Sequence, residues 1–168
     1  MAKEMERQVN KLLEASAEAA AKKNYPEALA KAKEAGKKER QLCKHRESKN
    51  LVDQMNLDLT YASCFNLANS YHLNGQHDEA LHTYSLIVKN KQYAQSGRLR
   101  VNMGNIYYEQ KKYPQAIKMY RMALDQIPNT GKEIRFKIMR NIGNAFVRIG
   151  QFADAVQSLV KKTDRECL

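Results

Sequence analysis

The chain has 168 residues, with 29 lysines and arginines against 18 aspartates and glutamates, so its formal net charge is +11. Glycine and proline are scarce, with seven and three residues respectively, which favours helix throughout the chain. A β-sandwich or a Rossmann fold is therefore not expected. Three cysteines without paired or metal-type spacing disfavour a disulfide framework and a zinc site, and no apolar run reaches the roughly 18 residues of a membrane span. We therefore expect a soluble, intracellular, all-α protein without a membrane segment.

The first predicted region, residues 1–60, is helical and degenerate. Residues 5–22 are alanine-rich and carry Ser16 where a small residue recurs later in the chain. Residues 24–29 form a turn in which Pro26 suits the first turn of a second helix. The charged stretch at 31–56 has widely spaced apolar residues, which favours a long extension of that helix, solvated on most faces. A linker is the alternative.

Three similar blocks occupy residues 61–168. In each block an alanine follows a small residue by 12 positions, from Ala68 to Ala80, from Gly104 to Ala116 and from Gly143 to Ala155. A small residue at a fixed place leaves room for two helices to approach closely. The blocks therefore predict helix pairs at 61–94, 97–130 and 136–168, with second helices that begin near His77, Tyr113 and Phe152.

The middle block carries the pattern of a known repeat. It is 34 residues long and has the following pattern residues: Met103, Gly104, Tyr107, Ala116, Tyr120, Ala123 and Pro128. It resembles the tetratricopeptide repeat (TPR), and the flanking blocks are more degenerate copies. This resemblance implies a right-handed superhelical TPR array of helix-turn-helix units. Between the last two blocks, Thr130 and Glu133 fit a capping box that opens the next helix.

The positive charge is concentrated on the blocks. Residues 1–60 carry a net charge of +3 and residues 61–168 one of +8. In a TPR array the first helix of each pair lines a concave groove, where we place a basic, asparagine-rich set: Asn69, Arg98, Asn102, Asn105, Lys137, Arg140, Asn144 and Arg148. Such a groove suits an acidic peptide segment. The alternative role for the asparagines is to hold neighbouring helices together.

Other functions are less well supported by the residues. No nucleotide-binding, metalloprotease or hydrolase motif is present and the four histidines lack ligand spacing, so we predict no enzyme activity, no metal and no cofactor. Nucleic-acid binding is disfavoured because the aromatic residues occupy repeat-core positions. Some TPR co-chaperones bind a terminal carboxylate through a set of Lys, Asn and Arg side chains. Asn69, Asn102 and Lys137 match three of these positions, but Phe65 replaces a lysine and Asn141 replaces an arginine at the other two.

A closer resemblance extends beyond the repeat pattern. Strings at 34–42, 56–61, 84–91, 97–107 and 117–128 are similar to the TPR-containing core subunit family of intraflagellar transport complex B. The resemblance implies a non-enzymatic scaffold for cilium assembly and ciliary cargo transport. It implies other complex B subunits as partners, and a location in the cilium or flagellum, basal body and cytoplasm. The alternative is a co-chaperone-like adaptor that binds an acidic C-terminal peptide.

The last predicted helix offers a second surface. Family members continue with many more repeats, whereas here no further helix covers the apolar side chains of Ala155, Val156, Leu159 and Val160. We therefore expect self-association, or docking of another chain, through this uncapped C-terminal helix.

Overall fold

The computed structural model describes residues 1–93 and 97–150, together with positions 154, 156, 157 and 160. Within this part of the chain the secondary structure is helical, without strands, and none of its helices combines the length and apolar character that crossing a bilayer requires. The α-helices are α1 (Ala2–Ala21), α2 (Tyr25–Ser48), α3 (Leu57–Leu73), α4 (His77–Lys89), α5 (Gly97–Glu109), α6 (Tyr113–Gln126) and α7 (Lys132–Arg148), with a short 3-10 helix at Val52–Gln54.

The chain forms two compact units, Met1–Asn90 and Lys91–Leu168. In the first, Ser16 is fully buried where α1 meets its neighbours. Its hydroxyl donates to the carbonyl of Ala28 at 2.8 Å and accepts from Nδ2 of Asn66 at 3.0 Å. The small polar residue thus joins α1 to both α2 and α3.

Helix α2 buries one face along most of its length. Ala28, Ala32, Ala35 and Leu42 repeat at helical spacing on that face, which explains how a strongly charged segment is held in a packed helix. Beyond Ser48 the chain turns through the 3-10 helix. It then enters α3, where the Asn56 side chain caps the helix by accepting from the backbone N–H of Leu59 at 3.0 Å.

The second unit packs α5, α6 and α7 around one hydrophobic cluster. Tyr120, Ile138, Ile142 and Phe146 are buried in it. Gly104 lies directly against the ring of Tyr120, since a Cβ built on this glycine would stand 2.6 Å from Cε1 of the tyrosine. The close helix approach predicted at the small position is therefore present.

The helix starts separate the correct predictions from the wrong ones. Helices α4 and α6 begin at His77 and Tyr113, as predicted. The prediction of a capping box from Thr130 and Glu133 is wrong. The N-cap residue of α7 is Gly131, which has no side chain to cap the helix, and the Glu133 carboxylate accepts a hydrogen bond from Lys137. The helix start predicted at Phe152 lies outside the described residues, as do Ala155 and Leu159 of the predicted self-association surface.

Candidate protein-binding face on α5 and α7

One end of the face formed by α5 and α7 is a basic pocket of about 410 Å³. Two of the predicted groove residues, Arg98 from α5 and Lys137 from α7, line it together. The remaining lining comes from the start of α7 and the residues before it: Thr130, Gly131, Lys132, Glu133 and Ile134. We call this the Arg98–Lys137 pocket.

The pocket has an excess of positive charge. Arg98, Lys132 and Lys137 are exposed cations, and Glu133 is the one carboxylate among the lining residues. Nζ of Lys137 donates to Oε1 of Glu133 at 2.7 Å, and this hydrogen bond lowers the pKa of the Glu133 carboxyl. The N-terminal end of α7, which has no side-chain cap, adds the positive end of a helix dipole. The field in the pocket therefore favours an anionic group.

In the middle of the face, asparagines hold the helices together. Oδ1 of Asn105 accepts from the Tyr120 hydroxyl at 2.7 Å and from Nδ2 of Asn141 at 3.5 Å. Burial is the main cause that raises the pKa of the Tyr120 hydroxyl above its ordinary value of 10. Asn105 thus serves the structural role that the sequence left open, and its acceptor oxygen is already used.

At the other end of the face, Nε of Arg148 donates to the Tyr108 hydroxyl at 3.4 Å, which raises the pKa of this exposed arginine. Arg140 and Asn144 are exposed on α7, whereas Asn102 is half-buried on α5. From Arg98 to Tyr108 the face runs about 15 Å along α5, at 1.5 Å per residue. It can present a row of cations to an extended segment.

The remaining groove residue predicted from the sequence, Asn69, lies on α3 in the first unit, where it is half-buried. Lys132 and Thr130 line the pocket but were not among the predicted groove residues. The sequence feature that could have indicated these two residues is the lengthened connection between the last two blocks, because it adds polar residues before α7.

The buried hydroxyl of Tyr120 gives a direct test of the helix-holding role. Tyr120→Phe is expected to lower the free energy of unfolding by about 1 kcal/mol, since Asn105 loses its shorter hydrogen bond while the ring packing stays. Chemical denaturation followed by circular dichroism measures the loss. Tyr113→Phe, on the same helix and half-buried, is the matched control. An unchanged midpoint for Tyr120→Phe would show that the bond contributes nothing.

Two family models, each described as tetratricopeptide repeat, match residues 61–92 and 95–161 of the chain. Together they span more than half of it, and the first covers most of α3 and all of α4 whereas the second includes α5, α6 and α7. The chain belongs to the tetratricopeptide-repeat family. Its fold is an all-α TPR array.

A curated relative is more informative. The chain is 50% identical over 156 residues to the Intraflagellar transport protein 88 homolog of Homo sapiens. The match covers 93% of this chain and 19% of the relative, so the chain spans about a fifth of the length of that protein. The resemblance to a TPR-containing subunit of intraflagellar transport complex B, first based on short strings, is thereby confirmed.

Solved structures support the fold. Apo RapI matches with a TM-score of 0.73 at 15% identity, over 93% of this chain and 54% of its own. A putative kinesin light chain from Podosopora anserina, with nearly identical TPR-like repeats, matches at 0.64 and 17%, over 97% and 76%. MamA from Desulfovibrio magneticus matches at 0.54 and 16%, over 95% of each chain. At these identities the likeness concerns the fold alone.

Proposed function

We propose that this chain is a non-enzymatic, protein-binding scaffold segment of intraflagellar transport complex B that supports cilium assembly and ciliary cargo transport. The observation that carries the proposal is the 50% identity to the human homolog over 93% of the chain. TPR units present helix faces to other proteins, and the exposed side chains of Arg98 on α5 and of Lys137, Arg140 and Arg148 on α7 suit that use. The expected site of action is the cilium or flagellum, with the basal body and cytoplasm as further locations.

The partner surface is the face of α5 and α7, and the partner is an acidic segment of another complex B subunit. Arg98, Lys132 and Lys137 surround the pocket, and Arg140 and Arg148 are exposed along α7. Opposite charges of this kind speed encounter and set register more than they add to final affinity. An acidic peptide segment is therefore preferred over a neutral one.

A co-chaperone-like adaptor is the second candidate, because Lys137 and Asn102 occupy positions that such adaptors use for a terminal carboxylate. Two features of the described residues weigh against it. Phe65 stands where a lysine is needed, and its ring packs between Tyr61 and Tyr84. Asn141 stands where an arginine is needed, and its amide donates to Asn105.

Affinity capture from ciliated-cell lysate tests both the scaffold and its binding face. The double variant Arg98→Glu/Arg140→Glu reverses two exposed charges on the face, whereas Lys37→Glu/Lys44→Glu makes the same charge change at exposed positions of α2. We expect complex B subunits on the unaltered chain and on the α2 control. Their recovery on the face variant should fall by about 5-fold or more, as like charges now meet.

The outcomes separate the two parts of the proposal. If all three proteins retain complex B subunits equally, the scaffold function is supported, but the basic face of α5 and α7 is not the surface that binds them. Recovery of heat-shock chaperones without complex B subunits, by a chain with an intact helical spectrum, would favour the adaptor. Loss of complex B subunits from both variants alike would show that net charge, and not this face, drives the association.

A further inference from the structure

The Arg98–Lys137 pocket already contains a carboxylate, that of Glu133. Its side chain is 85% exposed, and Oε1 accepts from Nζ of Lys137, itself 58% exposed, at 2.7 Å. The pair is spaced i, i+4 on α7, so it forms within the helix without help from another element. Without a partner present, Lys137 thus binds a carboxylate of its own chain.

Resting on the function proposed above, we infer that Glu133 is an internal competitor for this pocket, and that it lowers the affinity of α5 and α7 for an acidic side chain of the partner. The competing ligand class is a carboxylate carried by an extended acidic peptide. Arg98 reaches the pocket from α5 and presents the N–H fork that binds a carboxylate through two hydrogen bonds. Lys137 completes the site once Glu133 is displaced.

The internal pair is weak enough to be displaced. Exposed i, i+4 pairs between glutamate and lysine favour the paired state by about 2-fold only. An incoming carboxylate that contacts both Arg98 and Lys137 makes more bonds than the one it replaces. It still meets the repulsion of the Glu133 charge at the edge of the pocket, and that repulsion is what a neutral residue would remove.

Fluorescence anisotropy with a labelled hexaglutamate peptide tests the inference. At low salt, Glu133→Gln is expected to bind the peptide about 3-fold more tightly than the unaltered chain, with the difference shrinking at 0.5 M salt as screening increases. Asp125→Asn makes the same charge change at an exposed position of α6, outside the pocket, and should have little effect. Arg98→Gln should weaken binding about 5-fold, since it removes the cation from the other helix.

A double-mutant cycle with Lys137→Met separates competition from overall charge. If Glu133 competes for Lys137, the gain from Glu133→Gln becomes smaller once the lysine is absent. An equal gain in both backgrounds, or an equal gain from Asp125→Asn, would overturn the inference. So would weaker binding by Glu133→Gln, which would mean that Glu133 positions Lys137 for the ligand.

The same measurements distinguish this inference from the proposed binding face. Binding that depends on Arg98 but not on Glu133 leaves the face intact and removes the competitor. Absence of hexaglutamate binding by every variant, each with a native helical spectrum, overturns both. Binding detected for Glu133→Gln but not for the unaltered chain would support the competitor in its strongest form.

Discussion

Replacing Gly104 with alanine is expected to lower the free energy of unfolding by about 2 kcal/mol, as overpacking of a closely packed core usually does. A Cβ at this position would stand 2.6 and 2.7 Å from two carbons of the Tyr120 ring. The ring cannot move aside freely, because Tyr120 is 1% exposed and its hydroxyl is bonded to Asn105. The helix must therefore shift, which disturbs the contact between α5 and α6.

Gly36→Ala is the matched control for this prediction. Gly36 is also a buried glycine within a helix, but its added Cβ would meet Nη1 of Arg40 at 3.5 Å and Oγ of Ser63 at 3.8 Å, which are ordinary contacts. Alanine there should be neutral or stabilise by up to about 1 kcal/mol through its higher helix propensity. Thermal denaturation followed by circular dichroism compares the two. A Gly104→Ala melting temperature equal to or above that of the unaltered chain would contradict the steric argument.

The close approach at Gly104 could be predicted because it depends on a short, repeated pattern. A small residue and an alanine 12 positions later recur in three blocks, and the geometry of a helix pair fixes what that spacing means. The starts of α4 and α6 follow from the same pattern. A repeated local spacing is therefore sufficient to predict the fold class and the helix pairs.

The binding face was only partly predictable, because polar side chains have several possible partners. Asn66 donates to Ser16, 50 residues away, whereas Asn105 accepts from Tyr120. Glu133 fits a capping box in sequence, but the lysine one turn ahead binds its carboxylate. Which partner a polar group takes depends on tertiary neighbours, which a local pattern does not specify.

The ion pair between Glu6 and Arg46 illustrates this limit and carries the last prediction. Nη2 of Arg46 lies 2.9 Å from Oε1 of Glu6, and the arginine side chain is 6% exposed against 24% for the glutamate. The same Oε1 accepts from Nδ2 of Asn56 at 3.2 Å, so one carboxylate joins α1, α2 and the start of α3. Among the described residues, the buried Nε of Arg46 has no hydrogen-bond partner, which leaves Glu6 as the principal compensation for this cation.

Glu6→Gln is expected to lower the free energy of unfolding by about 2 kcal/mol at pH 7, since it leaves a buried guanidinium without a counter-charge. Glu14→Gln, at an exposed position of the same helix, should change it by less than about 0.5 kcal/mol. In an Arg46→Met background the further cost of Glu6→Gln should largely disappear. Chemical denaturation at fixed pH of the unaltered chain, the three single variants and the Arg46→Met/Glu6→Gln double variant gives the comparison.

The pH dependence of this difference identifies its electrostatic origin. The hydrogen bond from Arg46 is the largest cause that lowers the pKa of Glu6 below its usual 4.5. A carboxyl with a lowered pKa stabilises the folded state above its unfolded pKa, and that contribution is lost as pH falls through the folded pKa. The stability gap between the unaltered chain and Glu6→Gln should therefore be constant near neutral pH and shrink as the pH falls below 4.5. A gap of the same size after Glu6 has become protonated in the folded state would show that its charge contributes nothing and that the side chain stabilises the fold through packing.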